Sequence, residues 1–179
     1  MKLKTLFAIF CFGIVFHVAG QAQVKIGYTN IELVLAYMPE AKAMEKSIGT
    51  FQKKLAEKIK VKDDYVKQKY QEYLQLKEQG GMDQAEQERR EKELLRLDQE
   101  VQKLAADSEY DLLAKRQELL EPILKKLQGA LDAVAAEDGY TYIMNQTTSA
   151  GVSTILVGPD ENDVTEKLFA KLGMKMPSE

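Results

Sequence analysis

The side chains best suited to covalent or metal chemistry sit together at the extreme N-terminus. The one cysteine, Cys11, and the one histidine, His17, lie in the apolar run "LFAIFCFGIVFHVAG". Lys2 and Lys4 precede that run, and the small residues of "VAGQAQ" follow it. This is the pattern of a cleaved secretory signal peptide, residues 1–22, with cleavage after Gly20 or Ala22. Phe10 stands before Cys11 where a lipoprotein signal has a small residue, so no lipid anchor is expected. Cleavage leaves a chain with no thiol and no imidazole. No disulfide can then form, although a secretory compartment would permit one. Thiol nucleophiles and histidine bases are excluded, and the usual zinc and copper donor sets lose their best members. Asp160, Glu161 and Asp163 gather carboxylates in "DENDVTEK", but not at the ligand spacing of an EF-hand loop. Their expected role is to cap a helix and favour its first turn. No phosphate loop or nucleophile elbow is present in the sequence. The chain is expected to be no enzyme and to need no cofactor or metal.

Charge narrows the partners. Loss of Lys2 and Lys4 reduces the basic count from 25 to 23 against 28 acidic residues, a net −5 for the mature chain. No nucleic-acid footprint follows from that balance.

With no reactive constellation, any function must reside in surfaces, and long helices would present them. "PEAKAMEK" opens one, with Pro39 and Glu40 suited to a first turn. It is expected to run to Glu78, with Gly49 as its weak point. A second is expected from about Asp83 to Glu137, stopped by "DGY". Two adjacent glycines, Gly80 and Gly81, interrupt an otherwise helical stretch. Each glycine costs about 1 kcal/mol in a helix interior, so the pair marks a hairpin tip. Met44, Ile48, Phe51, Leu55, Ile59, Lys62, Val66, Tyr70 and Tyr73 follow steps of 4, 3 and 4 on the first helix. The second continues the grid through Leu94, Leu97, Val101, Ala105, Ser108, Leu112, Arg116, Leu119, Ile123, Leu127, Ala130 and Val134. Only Lys62, Ser108 and Arg116 are out of character. An eleven-residue repeat implies a straight or slightly right-handed coil. The narrow stripes predict an antiparallel pair, with Tyr70 and Tyr73 in its seam. Lys53–Glu78 sums to +3 and Asp83–Asp107 to −3, which suits pairing or two solvated faces equally.

Further along the second helix, Leu113, Leu120, Leu124, Leu131 and Ala135 widen the stripe, so a second neighbour is expected there. Pro122 falls near this change and is read as a kink between arm and body. Strands are expected at about 24–29, 140–146 and 152–157, and a C-terminal helix at about 161–172. The fold class is therefore mainly α with a small β body (α+β). The body is assigned to 23–41 and 120–179 and the helical hairpin arm to 42–119. Three short strands do not make a self-sufficient sheet, so oligomerisation is expected.

"VKIGYTNIELVLAYMPEAKAMEK", the long charged middle, "LLEPILKKLQGALDAVAAEDGYTYIMN" and "ILVGPDENDVTEKLFAKLG" together resemble the Skp/OmpH family, periplasmic chaperones for outer-membrane proteins. The resemblance covers nearly all of the mature chain. It implies a periplasmic homotrimer shaped like a jellyfish, whose hairpins surround a cavity that holds unfolded outer-membrane proteins without ATP. It also implies transient proximity to a membrane surface. Skp is basic where this chain is acidic, which puts charge steering of clients in doubt. The off-grid residues Val61, Tyr65 and Leu76 are the client-contact candidates on the first arm. The alternative reading is a coiled-coil structural or adaptor protein of the envelope with one specific partner.

Overall fold

A computed structural model describes residues 24–148 and 150–177, so the expected signal peptide, with Cys11 and His17, lies outside the described residues. The element order is β1 (Ile26–Thr29), α1 (Ile31–Tyr37), α2 (Pro39–Glu78), α3 (Gln84–Asp138), β2 (Tyr142–Asn145), a 3-10 turn (Asp160–Asn162) and α4 (Thr165–Lys171). The chain divides into two compact units. One takes in the chain up to Glu32 together with Ala130 onward, and the other is Leu33–Gly129.

In the helical unit, α2 starts with Pro39 at its first turn, where the missing amide costs nothing, and Glu40 beside it favours the positive end of the helix. The two long helices run antiparallel. Tyr73 donates its hydroxyl hydrogen to Glu91, Lys62 lies 2.7 Å from Glu100, and Lys126 bonds Glu40. Stepping back 33 residues on α2, from Tyr73 to Glu40, steps forward 35 on α3, from Glu91 to Lys126. That near-equality fixes one register along the whole pair.

The predicted grid is the inner face. Ile48, Tyr73, Leu97, Ile123 and Leu127 are buried, while Met44, Phe51, Leu55, Ile59 and Val66 are half-buried. Its polar exceptions have physical accounts. Lys62 reaches Glu100 across the seam. Ser108 is buried but donates to the Leu104 carbonyl at 2.6 Å, so no polar atom is stranded. Arg116 is exposed. Most of the ion pairs lie within one helix and leave the opposite net charges of the two arms unchanged: Lys60–Asp64, Lys67–Asp63, Lys69–Glu72, Glu86–Arg90 and Arg96–Glu100 are all one turn apart. Pro122 lies inside α3, which continues through it; the ring removes the amide that would have reached the Glu118 carbonyl.

Gly80 and Gly81 close α2 as a Schellman motif. The Gly80 amide donates to the Lys77 carbonyl and the Gly81 amide to the Leu76 carbonyl, both at 3.2 Å. Gly80 has φ 65°, the left-handed conformation that a side chain disfavours. Asp83 then caps α3, its carboxylate accepting the Glu86 amide at 2.8 Å.

In the strand unit, β1 and β2 pair in parallel, Ile26 opposite Tyr142 through Thr29 opposite Asn145. Val134, Tyr140 and Val164 form its core, with Ala135 and Ile143 packed against them. A Cβ on Gly27 would stand 3.0 Å from the Tyr140 ring, tighter than an ordinary contact, so the ring would have to give way. Asn145 accepts the Ile31 amide with its side-chain oxygen, capping α1, and donates to Glu32.

Two expected boundaries need correction. The third strand, 152–157, is reduced to an isolated antiparallel bridge between Thr147 and Ser153. Of the apolar side chains that suggested a strand, Ile155 is half-buried, but Leu156 is 87% exposed and Val157 94%. The C-terminal helix begins at Thr165 rather than 161. Asp160 and Glu161 instead form the 3-10 turn, and Asp163 restarts the chain by accepting the Thr165 amide at 2.9 Å.

Candidate functional site

Near the tip of the hairpin the seam opens on one flank. Val66, Tyr70 and Leu74 of α2 and Leu94 and Leu95 of α3 line a groove of about 710 Å³. The three α2 residues recur at every fourth position, which at ~100° per residue places them along a slowly turning row beside the seam. Tyr70 corrects an expectation. It is 49% exposed rather than packed in the seam, because it lies three residues, and so about 60° around the helix, from the buried Tyr73. The two rings stand 6.4 Å apart and tilted.

Charged side chains form the rim: Asp63, Lys67, Lys77, Glu91 and Asp98. Lys67 pairs with Asp63 at 2.6 Å. Lys77 donates to the Tyr73 hydroxyl at 3.2 Å, and that hydroxyl donates in turn to Glu91. The Tyr73 hydrogen bond, supported by the Gln87 amide, holds the Glu91 carboxyl below its ordinary range. The same hydroxyl raises Lys77. Both groups therefore keep their charges at neutral pH, and the relay ties α2 to α3 just inside the tip.

Val61, Tyr65 and Leu76 do not join this groove. Counted at ~100° per residue, they fall on the other flank of the seam. Val61 and Tyr65 are exposed, Leu76 is half-buried, and the Lys69 ammonium sits 5.8 Å from the Tyr65 ring. Sequence reasoning missed two groove residues, Leu74 and also Leu95. The signal for Leu95 is a doublet: Leu94–Leu95 matches Leu112–Leu113, Leu119–Leu120 and Ile123–Leu124. The first member of each occupies the seam grid, and the second stands on one flank. Leu95, Leu113 and Leu124 are all exposed.

The arrangement defines a long-helix α+β protein with an open apolar groove and, among the described residues, no cluster of three metal-type side chains. No helix of the described residues is long and apolar enough to cross a membrane. The sequence profile of the outer membrane protein (OmpH-like) family matches residues 25–172, and the chain belongs to that family. No curated protein matches it in sequence. The fold is shared with a crystal structure from Caulobacter crescentus CB15 described as that of a candidate outer membrane chaperone (OmpH-like). The TM-score is 0.70 at 13% identity, covering 89% of this chain and 91% of the other.

Proposed function

We propose that the mature chain is an ATP-independent holdase of the periplasm, which binds unfolded outer-membrane or envelope proteins and prevents their aggregation without catalysing a reaction. Membership of the OmpH-like family across residues 25–172 carries this reading. The surface supports it physically. Apolar side chains remain exposed along the paired helices on both flanks of a seam that is already filled. Their burial against an unfolded chain would be favourable and largely indifferent to sequence. The charges of residues 53–78 and 83–107 cancel, +3 against −3, so apolar contact supplies most of the attraction for clients.

The protein is proposed to work as a homotrimer. A two-stranded sheet is marginal by itself, and here its surroundings expose Ile26, Tyr142, Met144, Val152, Leu156 and Val157. Strands of neighbouring copies would cover these side chains and supply the ladder that 152–157 lacks. The test is light scattering during dilution of a urea-unfolded outer-membrane barrel, with and without the mature chain and without nucleotide. Suppression at near-stoichiometric amounts supports the proposal. Unchanged aggregation, or equal protection by an unrelated helical protein, refutes it.

A further inference from the structure

The two flanks of the hairpin seam are unlike, and the difference points to what one of them holds. On the groove side, Val66, Tyr70 and Leu74 stand in an i, i+4, i+8 row, faced by Leu94 and Leu95. Steps of four residues on a helix advance about 6.0 Å. Alternate side chains of an extended strand, all on one face, advance about 6.6 Å. Three successive strand side chains therefore stay within about 1.2 Å of the helix row before the two spacings drift apart. A strand with strict apolar–polar alternation can lay one face in the groove and keep the other in water. A sequence of the same composition with its apolar residues in isolated pairs, two apolar then two polar, never has apolar side chains at i, i+2 and i+4 and cannot place three at that spacing.

The rim adds a charge preference. It carries three carboxylates, Asp63, Glu91 and Asp98, against two ammonium groups, Lys67 and Lys77. Both cations are engaged inside the protein, Lys67 by Asp63 and Lys77 by the Tyr73 hydroxyl. Asp98 takes only an amide hydrogen, from Gln102, among its hydrogen bonds within the hairpin. Lys67 and the Tyr73 hydroxyl engage Asp63 and Glu91 in turn, so the rim's net charge of −1 rests on Asp98, which favours a cation. Across the seam the Lys69 ammonium stands 5.8 Å from the Tyr65 ring and pairs with Glu72 at 2.7 Å.

We propose that the groove of Val66, Tyr70, Leu74, Leu94 and Leu95 is a binding site for an extended polypeptide segment of alternating apolar and polar residues whose polar positions include lysine or arginine. Transmembrane β-strands have this alternation. The inference rests on the holdase reading and moves the client contact from Val61, Tyr65 and Leu76 to the opposite flank.

The experiment uses the mature full-length chain and three fluorescent peptides of about ten residues, the length of a barrel strand. One alternates apolar residues with lysine and serine. One has the same composition with the apolar residues in pairs separated by polar pairs. One replaces lysine by glutamate in the alternating order. Fluorescence anisotropy should show the first binding about tenfold more tightly than either of the others. Tyr70→Ser with Leu95→Ser should remove that preference. Both residues are exposed, so helix content by circular dichroism should not change. Val61→Ser with Tyr65→Ser should leave the preference intact. Equal binding of the three peptides, or loss of preference in the Val61 and Tyr65 variant alone, overturns the proposal. So does a change of oligomer mass in the Tyr70 and Leu95 variant, which would make the groove a contact between copies. If the parent protein suppresses barrel aggregation while the peptides bind equally, the groove assignment fails and the holdase reading stands. If it suppresses nothing, the holdase reading itself fails.

Discussion

Leu97→Ala should loosen both long helices, because Leu97 belongs to the seam and not to α3 alone. It is 3% exposed and lines a narrow space with Lys69 and Tyr73 of α2. Truncating a buried leucine costs about 2–5 kcal/mol. The seam is one layer thick and its neighbours are half-buried, so the lower part of that range applies, about 2.5–3 kcal/mol. Hydrogen exchange followed by mass spectrometry reads this directly, since exchange from a locally opened helix reports its opening free energy. A loss of 2.8 kcal/mol corresponds to about a hundredfold faster exchange. The increase is expected in peptides from 66–76 on α2 as well as 91–101 on α3. Peptides from β1 and β2, which belong to the other compact unit, should not change. Leu95→Ala, two residues away, is the control. Leu95 is 60% exposed, so its truncation should cost no more than about 0.5 kcal/mol. Equal effects of the two substitutions would refute the assignment of inner and outer faces. Faster exchange confined to α3 would refute the pairing itself.

Three further outcomes follow from the geometry. Gly80→Ala should cost about 1–2 kcal/mol, because a side chain is forced to φ 65° with no clash to add to it, whereas Gly81→Ala should cost well under 1 kcal/mol; exchange at the tip amides separates them. The Thr147 hydroxyl, then the backbone amide and the Asn145 side chain, hold the Glu32 carboxyl below its ordinary 4.5. Because the folded-state pKa is depressed, that contribution is complete above 4.5 and disappears as pH falls through the lowered value. Protection of the 145–148 amides, corrected for intrinsic rates, should therefore decline below pH 4.5 in the parent protein and decline less in Thr147→Val. Gly27→Ala should cost about 1–3 kcal/mol through displacement of the Tyr140 ring, read as faster exchange in β1 and β2 with the hairpin unaffected.

Much of this fold is written in helical periodicity. The 4-3-4 spacing from Met44 to Tyr73 predicts the inner face because burial on a helix depends on angle alone, and angle follows from residue number. The tip is equally local. Two glycines, then Asp83 three residues before Glu86, specify a C-cap and an N-cap without any distant contact. Periodicity fails where a residue lies at the stripe's margin. Tyr70 satisfies the grid, yet its ring opens outward, since the grid's four-residue step carries it about 40° past Val66. Leu95 was legible only as the second member of a leucine doublet, and one doublet is weak until three others repeat it. The 152–157 segment shows a different limit. Its β-branched residues, Val152, Thr154, Ile155 and Val157, are sound strand chemistry, but a ladder needs a neighbour, and a sequence does not say which chain supplies it. The start of α4 moved from 161 to Thr165 because Asp160–Asn162 closes into a 3-10 turn, and Asp163 accepts the Thr165 amide from outside the helix.

The central claim is that this chain holds unfolded outer-membrane proteins. Size-exclusion chromatography with multi-angle light scattering tests it most directly, on the mature chain mixed with an outer-membrane barrel freshly diluted from urea, in nucleotide-free buffer. The account predicts a soluble peak containing both proteins, with the mass of three chains plus one barrel, that persists at high salt because the contacts are apolar. A barrel that aggregates into the void volume while the chain elutes by itself would contradict it.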